Sequence, residues 1–193
     1  GSAVILLYNP PSSANRKPVL PMSLLALGAV LEGEHDYAIL DGNLLDDALL
    51  ALERAVRETG ARVLGITVMP GPQLQHAVPL CRFLKAVHRH LAIVWGGYFP
   101  SQHPEACLGA GIVDYVVRGH GELTFKRLVD ALAAGRDPGP LPGLARRLSP
   151  GGEIDAAAVA PLPRPEELPD WPYHRLDVAR YARPTFMGRR TLA

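Results

Sequence analysis

Five short stretches of the sequence place glycine, hydroxyl, amide or ring side chains directly after an apolar run. They are Asn9-Pro10-Pro11-Ser12, Asp41-Gly42-Asn43, Thr67-Val68-Met69, Gly96-Gly97-Tyr98 and Gly119-His120-Gly121-Glu122. Side chains of these types hydrogen-bond a ligand or leave room for one beside the backbone. The chemistry that they favour is therefore binding rather than bond cleavage.

The third and fourth stretches carry the clearest binding signals. Thr67 places a hydroxyl where a strand is expected to end, although a capping threonine beside a core methionine, Met69, explains the same residues. Gly96 and Gly97 lack a Cβ, so a flat or bulky group can approach the backbone closely. A tight turn between a strand and a helix is the alternative for this glycine pair.

The remaining stretches are less specific. Asn9–Ser12 opens a long, proline-stiffened loop, which either contacts a bulky ligand or covers the sheet edge. Asp41–Asn43 is typical of a plain turn and helix cap. Gly119–Glu122 precedes a helix whose free N–H groups suit a polar or anionic group, but Glu122 also fits as a carboxylate that the helix dipole favours.

Catalytic and metal-binding signatures are missing from the sequence. It contains no Walker A motif, HExxH, GxSxG or complete GxGxxG. His103 and Cys107 lie four residues apart, but one such pair does not make a zinc site, which usually has four ligands. His76 is expected to be an exposed helical histidine, and His88 and His90 to lie on a solvated face. We therefore predict no catalytic and no metal-ligating residue.

Composition excludes several classes of protein. The 193 residues carry a formal net charge of +1 with interspersed signs, so no basic stripe for nucleic acid is present. The apolar stretch Leu20–Leu31 is interrupted by Pro21, Ser23 and Gly28, so no membrane span of about 18 residues is expected. The two cysteines form no paired motif, which favours a reducing, cytoplasmic location.

The elements that position these residues alternate between strand and helix. Short apolar strands are predicted at Val4–Tyr8, Tyr37–Leu40, Val63–Thr67, Ile93–Trp95 and Asp114–Val117. Helices are predicted at Ser23–Leu31, Leu45–Glu58, Gln73–His88, Pro104–Leu108 and Leu123–Ala133. Five such units predict an α/β fold with a doubly wound, five-stranded parallel sheet. Ligands of such sheets bind at the carboxyl ends of the strands, where all five stretches fall.

The sequence changes character after residue 135, since ten of the 19 prolines follow it. We expect an α/β domain over residues 3–135 and a hairpin extension over 136–160, built from Leu144–Leu148 and Glu153–Ala157. Residues 161–193 are expected to form an extended, proline-rich linker. Gly1-Ser2 resembles a cloning remnant, so both ends are expected to be artificial.

The order of several motifs resembles a known family. LLYNPP, PMSLLALGAVLE, GITVMP, VWGGYFPSQHPE, DYVVRGHGELTF and LPDWPYHRLDVARY occur in sequence over nearly the whole chain. Together they resemble the N-terminal cobalamin-binding domain of B12-dependent radical SAM enzymes. The resemblance implies a Rossmann-like or flavodoxin-like sheet of strand order 2-1-3-4-5, with cobalamin at its carboxyl edge.

The resemblance also assigns roles to single stretches. Thr67-Val68-Met69 and Gly96-Gly97 resemble the family's loops beside the displaced nucleotide tail of cobalamin. Gly119-His120-Gly121-Glu122 resembles a Gly-Glu-Gly-Glu turn in which His120 replaces the first glutamate. Asn9–Ser12 lacks the cobalt-ligating histidine that methionine-synthase-like domains carry after the first strand. The resemblance therefore implies water, a distant side chain or nothing on the lower face of cobalt.

The implied function belongs to a larger enzyme. The sequence has no CxxxCxxC motif that could hold a [4Fe–4S] cluster. The cluster and SAM are therefore expected in a radical SAM domain that follows, and this chain alone is expected to be inactive. The resemblance implies a methyltransferase that uses methylcobalamin as carrier, with ring closure or rearrangement as alternatives. A receiver-like or flavodoxin-like binding module is the rival, although Asn9, Pro10 and Thr67 supply neither receiver acids nor a flavin phosphate loop.

Overall fold

The computed structural model describes residues 4–12, 18–181, 183–185 and 188–191. Its main sheet has seven strands in the order β2-β1-β3-β4-β5-β6-β7. The strands are β1 (Ile5–Asn9), β2 (Tyr37–Asp41), β3 (Val63–Thr67), β4 (Ala92–Gly96), β5 (Tyr115–Val117), β6 (Leu144–Arg147) and β7 (Ile154–Ala156). The first five pair in parallel, which confirms the predicted α/β class and the 2-1-3-4-5 order.

The predicted hairpin adds two antiparallel strands to this sheet. β6 pairs with β5, and β7 pairs with β6, so the sheet has seven strands rather than the five of the parallel part. Two further short strands, β8 (Arg183–Thr185) and β9 (Gly188–Thr191), pair with each other in a separate sheet. The antiparallel strands β6 and β7 therefore extend the sheet beyond β5.

Among the described residues, six α-helices cover the two faces of the main sheet. They are α1 (Met22–Leu31), α2 (Ala48–Thr59), α3 (Pro72–Val87), α4 (Tyr98–Gln102), α5 (Pro104–Gly109) and α6 (Glu122–Ala133). The short α4 was not predicted, because its five residues follow a glycine pair and contain a proline. Pro100 is nevertheless compatible with a helix, since it lies in the first turn, where no intrahelical N–H bond is needed.

Strand alternation divides the core into two layers. Ile5 and Leu7 of β1 pack with residues of α1 and α6, whereas Leu6 and Tyr8 pack with residues of α2, α3 and α5. Successive side chains of a strand point to opposite faces, so a strand that is covered on both sides is apolar throughout. Both layers leave the carboxyl edge of the parallel strands open between the loops.

The predicted proline-rich linker, residues 161–193, has local structure up to Tyr181. Up to that residue it contains three short 3₁₀ turns, Pro165–Glu167, Tyr173–Arg175 and Val178–Tyr181, and no long helix. Residues 172–181, which we call the strap, lie against β2 and the end of α1. The Tyr181 hydroxyl donates to Asp41 Oδ2 at 2.9 Å, and Tyr181 is only 1% exposed. The strap therefore packs on the α/β domain.

None of the helices in the described part of the chain is both long and apolar enough to cross a bilayer.

Candidate functional site

A cleft of about 380 Å³ opens at the carboxyl edge of the parallel sheet. Its wall residues come from the ends of β3, β4 and β5 and from α1, α4 and α6. They are Ser23, Leu27, Gly65, Ile66, Thr67, Val94, Gly96, Gly97, Tyr98, Ser101, Gln102, Val117, Gly119, His120, Gly121, Glu122 and Phe125. The strand side chains and Phe125 make the floor apolar, while hydroxyl, amide, imidazole and carboxyl groups surround it. This combination is typical of small-molecule and cofactor sites.

Eight of the fourteen residues proposed from sequence line this cleft. They are Thr67, Gly96, Gly97, Tyr98, Gly119, His120, Gly121 and Glu122. Asn9, Pro10, Pro11, Ser12, Val68 and Met69 lie outside its wall. The structure thus brings together the third, fourth and fifth stretches, and places the first stretch beside them.

The loop after β3 is locked by its backbone. Val68 is fully buried; its N–H donates to Gly96 O at 2.9 Å, and its carbonyl accepts from Phe99 N at 3.3 Å. Thr67 is half-buried at the cleft and does not cap α3, whose N-cap is Gly71 without a side-chain cap. Met69 is 46% exposed, so the interpretation of Met69 as a core methionine is wrong.

The two glycines at the end of β4, Gly96 and Gly97, have different roles. Gly97 has φ of +97°, and a Cβ at this position would lie 3.1 Å from Thr67 Cγ2 and from Val68 O. Gly97 is therefore required by the tight turn into α4. A Cβ at Gly96 would meet only Val117 O, at 3.5 Å, and φ is not in the left-handed region. Gly96 therefore leaves open space at the cleft wall without being required by the backbone.

The loop after β5 forms the opposite wall. Gly119 N donates to Ser101 Oγ at 2.9 Å, which ties this loop to α4. Gly121 is the N-cap residue of α6 and has no side chain with which to cap the helix. A Cβ at this position would collide with Val117. Glu122 begins α6 and lines the cleft. Its Oε2 is buried and has no hydrogen-bond partner among the described residues.

The first loop is held beside the cleft by an amide that sequence reasoning missed. Gln73 is 5% exposed and donates from Nε2 to Asn9 Oδ1 at 3.1 Å and to Pro10 O at 2.8 Å. Its Oε1 accepts from Met69 N at 3.0 Å. One sequence signal could have indicated this role of Gln73. The glutamine lies in the first turn of a helix, and the residue before that helix, Gly71, has no side chain that could cap it.

The second loop is a turn and cap, as predicted. Asp41 Oδ1 accepts from Asn43 N at 3.0 Å, and Asn9 Nδ2 donates to the same oxygen at 3.1 Å. Asn43 Oδ1 in turn accepts from Ser12 N at 3.1 Å. The first and second loops are therefore one hydrogen-bonded unit, which Gln73 joins to the loop after β3.

The histidines differ from expectation. His76 is half-buried rather than exposed, because its Nε2 lies 2.7 Å from the Tyr8 hydroxyl, and burial lowers its pKa. The side chain of His88 is 12% exposed and lies 3.4 Å from Glu53, so only His90 is on a solvated face. His103 is exposed whereas Cys107 is buried. No group of three or more potential metal ligands occurs among the described residues.

Four large apolar side chains are exposed on or next to residues that line the cleft. Met22, Met69, Tyr98 and Val159 are 55%, 46%, 61% and 51% exposed. Tyr98 lines the cleft, Met22 and Met69 are within two residues of lining residues, and Val159 packs against Gly119. We call these four residues the apolar rim. Exposed apolar groups that surround a pocket indicate a binding surface for a large, flat or apolar ligand.

Comparison with known proteins agrees with this geometry. The B12 binding domain family matches residues 16–129. An uncharacterised methyltransferase of Pyrococcus horikoshii is 30% identical over 184 residues, covering 92% of this chain and 39% of that protein. The anaerobic magnesium-protoporphyrin IX monomethyl ester cyclase of Synechocystis sp. is 31% identical over 174 residues, covering 83% of this chain and 33% of that protein.

A solved structure extends the comparison. The radical S-adenosylmethionine methyltransferase TsrM from Kitasatospora setae, with cobalamin and a [4Fe-4S] cluster bound, superposes with a TM-score of 0.70 at 25% identity. The match covers 82% of this chain and 31% of TsrM. The chain thus spans between about a third and two fifths of these relatives. The family match covers more than half of the chain, and by this match the chain belongs to the B12 binding domain family.

Proposed function

We propose that this chain binds cobalamin at the carboxyl edge of its sheet, with the nucleotide tail in the cleft and the corrin ring over the apolar rim. The observation that carries this proposal is the 380 Å³ cleft with its apolar floor, opened at Gly96. A cleft of this size holds a group such as a benzimidazole nucleoside, but not a whole corrinoid. The ring then has to remain outside, where the apolar rim offers it contact area.

The residues present fit such a ligand. Gly96 leaves space beside the strand end, and Gly97 lets the turn pass close to Thr67. Thr67 and Tyr98 supply hydroxyl groups at the mouth. The buried, unpartnered Oε2 of Glu122 calls for a hydrogen-bond donor from a ligand, because a buried polar atom without a partner is costly.

The first loop would offer cobalt no histidine ligand if cobalamin binds at this edge. Asn9, Pro10, Pro11 and Ser12 contain no imidazole. His76 follows on α3, but its Nε2 is engaged with Tyr8. Gln73 holds Asn9 and Met69 in place, so this part of the site is preorganised before the cofactor arrives. Bound cobalamin supplies a cobalt centre that accepts and donates a methyl group, and axial ligation is one way in which a protein tunes it.

We further propose that the whole protein continues into a radical SAM domain that holds a [4Fe–4S] cluster and SAM, and that it is a methyltransferase. The methyltransferase name of the Pyrococcus relative and the TsrM match support this, since this chain spans only part of either protein. Ring closure is the second candidate, which the match to the Synechocystis cyclase supports. In both cases this chain's role is to carry the corrinoid.

Cobalamin binding can be tested with hydroxocobalamin. The chain is mixed with the corrinoid, desalted, and its visible spectrum recorded; the sample is then reduced to Co(II) for EPR. Retained corrinoid whose EPR signal lacks nitrogen superhyperfine splitting is expected, because neither the tail base nor a loop histidine would ligate cobalt. Retained corrinoid with that splitting would show that the tail base or a histidine ligates cobalt, which would contradict either the proposed tail position or the absence of a histidine ligand.

A matched pair of variants tests the place of binding. Gly96→Leu should fill the cleft without backbone strain and abolish retention. Gly109→Leu, at another glycine with open space around its Cβ position, should retain corrinoid as the unaltered chain does. If the folded chain fails to retain corrinoid even when extended past Ala193, the proposal is wrong. Equal retention by both variants would place the corrinoid elsewhere.

A further inference from the structure

The cleft contains one carboxylate whose partner is not supplied by the protein. Glu122 Oε2 is buried and lacks a hydrogen bond within the described part of the chain. No lysine or arginine lines the cleft. The two nearest in sequence have other partners: Arg118 directs its Nε to Ser101 O at 3.1 Å and its NH1 to Ala157 O at 2.8 Å. Lys126 Nζ lies 2.6 Å from Glu34 Oε2 and 2.8 Å from Asp130 Oδ2. No lysine or arginine of the cleft wall is therefore a counter-charge for Glu122, and the imidazole of the wall, His120, is exposed and does not hydrogen-bond Glu122 Oε2.

Two physical effects act on this carboxylate. Its position in the first turn of α6 is favourable for a negative charge, because the helix N-terminus carries a partial positive charge. Removal of Oε2 from water without a hydrogen bond is unfavourable. The cost of burying Oε2 is relieved when a hydrogen-bond donor enters the cleft and reaches it. An anion does not relieve it, because Glu122 already occupies the positive end of α6 with a charge of the same sign.

We infer that Glu122 recognises a neutral hydroxyl donor on the nucleotide tail of the corrinoid, namely a ribose hydroxyl, and so makes the chain selective for corrinoids that carry a complete tail. This inference rests on the proposed function. The dimethylbenzimidazole base has no N–H to donate when it is attached to ribose, and the tail phosphate is an anion. The ribose hydroxyls are the donors that remain on the tail. Glu122 is thus a specificity-determining residue rather than a phosphate-binding one.

The test compares two corrinoids. Cobalamin carries the nucleotide tail, and cobinamide lacks it. Dissociation constants of both are measured for the unaltered chain and for Glu122→Met, which removes the acceptor oxygens. A hydrogen bond to a charged group is expected to contribute about 10-fold to 100-fold in affinity. We therefore expect Glu122→Met to weaken cobalamin by that factor and to leave cobinamide within about twofold. Unchanged cobinamide binding also shows that the variant is folded.

A matched control and a tail fragment sharpen the assignment. Glu105→Met removes an exposed carboxylate at the start of α5 and should leave both corrinoids unchanged. The free nucleoside α-ribazole should compete with cobalamin for the unaltered chain and compete less well for Glu122→Met. The base 5,6-dimethylbenzimidazole, which lacks ribose, should compete equally for both.

Three outcomes would overturn the inference. Equal weakening of cobalamin and cobinamide in Glu122→Met would show that Glu122 supports the site as a whole. Unchanged cobalamin binding in that variant would show that no tail donor contacts Glu122. If the unaltered chain binds neither corrinoid, the proposed function itself fails and this inference fails with it. The cobalamin measurement on the unaltered chain distinguishes the last outcome from the other two.

Discussion

At the scale of single residues, Gln73 shows how one side chain joins loops that are far apart in sequence. Its amide contacts Asn9 and Pro10, more than 60 residues earlier, and the backbone of Met69. All three partners belong to loops at the carboxyl edge. Because the amide is buried, its hydrogen bonds are hard to replace with water. Gln73 is a positioning residue for the candidate corrinoid site.

Replacing Gln73 by methionine should destabilise the chain and weaken corrinoid binding. The substitution keeps the side-chain volume but leaves Asn9 Oδ1, Pro10 O and Met69 N without this partner. We expect a loss of about 2 kcal/mol in the free energy of unfolding, measured by urea denaturation. Gln75→Met, at an exposed position of the same helix, is the control and should change this free energy by less than about 0.5 kcal/mol. Equal effects of the two substitutions would contradict the role assigned to Gln73.

At the scale of elements, the strap joins the far end of the described chain to the β2 edge. Arg175 NH2 lies 3.1 Å from Glu32 Oε1, and its guanidinium lies 4.3 Å from the centre of the Tyr37 ring. The Tyr37 hydroxyl also donates to Glu32. These groups are partly exposed, so each contact contributes modestly, and the buried Tyr181 adds the better-protected contact. The strap sets the direction in which the chain leaves the sheet.

Acid should release the strap. The hydrogen bond from Arg175, followed by that from Tyr37, lowers the pKa of Glu32 below its ordinary value of 4.5. Because the pKa of Glu32 is lowered when the strap is docked, ionised Glu32 stabilises the docked strap at any pH above the ordinary pKa. This stabilisation is lost as the pH falls through the lowered pKa. In a Trp95→Phe background Trp171 is the remaining tryptophan, and its emission should shift to the red over this range.

Two variants check the assignment of this transition to Glu32. Glu32→Gln should remove the acid-induced shift of Trp171, because an amide does not titrate there. Glu167→Gln alters a neighbouring carboxylate that pairs with Arg164 and should leave the shift in place. A shift that persists in Glu32→Gln with the same midpoint would show that another group controls the strap.

At the scale of the whole molecule, the two core layers bury both cysteines on the same side of the sheet. Cys81 and Cys107 belong to the layer formed with α2, α3 and α5. Burial raises the pKa of the Cys81 thiol to about 12 and that of Cys107 to about 11. The thiolate is the reactive form, so both thiols are protected by low exposure and by a small thiolate fraction.

Neither thiol should react readily with Ellman's reagent at pH 8 in the folded chain, whereas both should react in concentrated urea. Ser149→Cys, at an exposed position of the hairpin turn, provides a control and should add one rapidly reacting thiol without denaturant. Rapid reaction of a thiol in the unaltered folded chain would show that the layer beneath α3 and α5 opens more easily than its packing indicates.

The sequence by itself determined where the five parallel strands and the glycine-rich loops lie along the chain, whereas the strand order was expected only from the family resemblance. These features depend on local patterns: short apolar runs form strands that are covered on both faces, and Gly97 supplies a positive φ at a tight turn. Because parallel strands end at one edge, all five stretches were expected at that edge; the third, fourth and fifth line the cleft, and the first and second do not. The hairpin was predicted for the same local reason, from a turn between two strands.

Only the tertiary structure decided which of these residues line the cleft and which support it. Asn9–Ser12 lie beside the cleft because Gln73, Asp41 and Asn43 hold them there, through contacts that span between 31 and 64 residues. Tyr181 reaches Asp41 across 140 residues, which turns an expected linker into a docked strap. Likewise, the sequence does not show that Glu122 Oε2 lacks a hydrogen-bond partner, because this depends on where all the surrounding groups lie in the fold. Local patterns carry no information on such long-range contacts, since these form only when separate elements pack together.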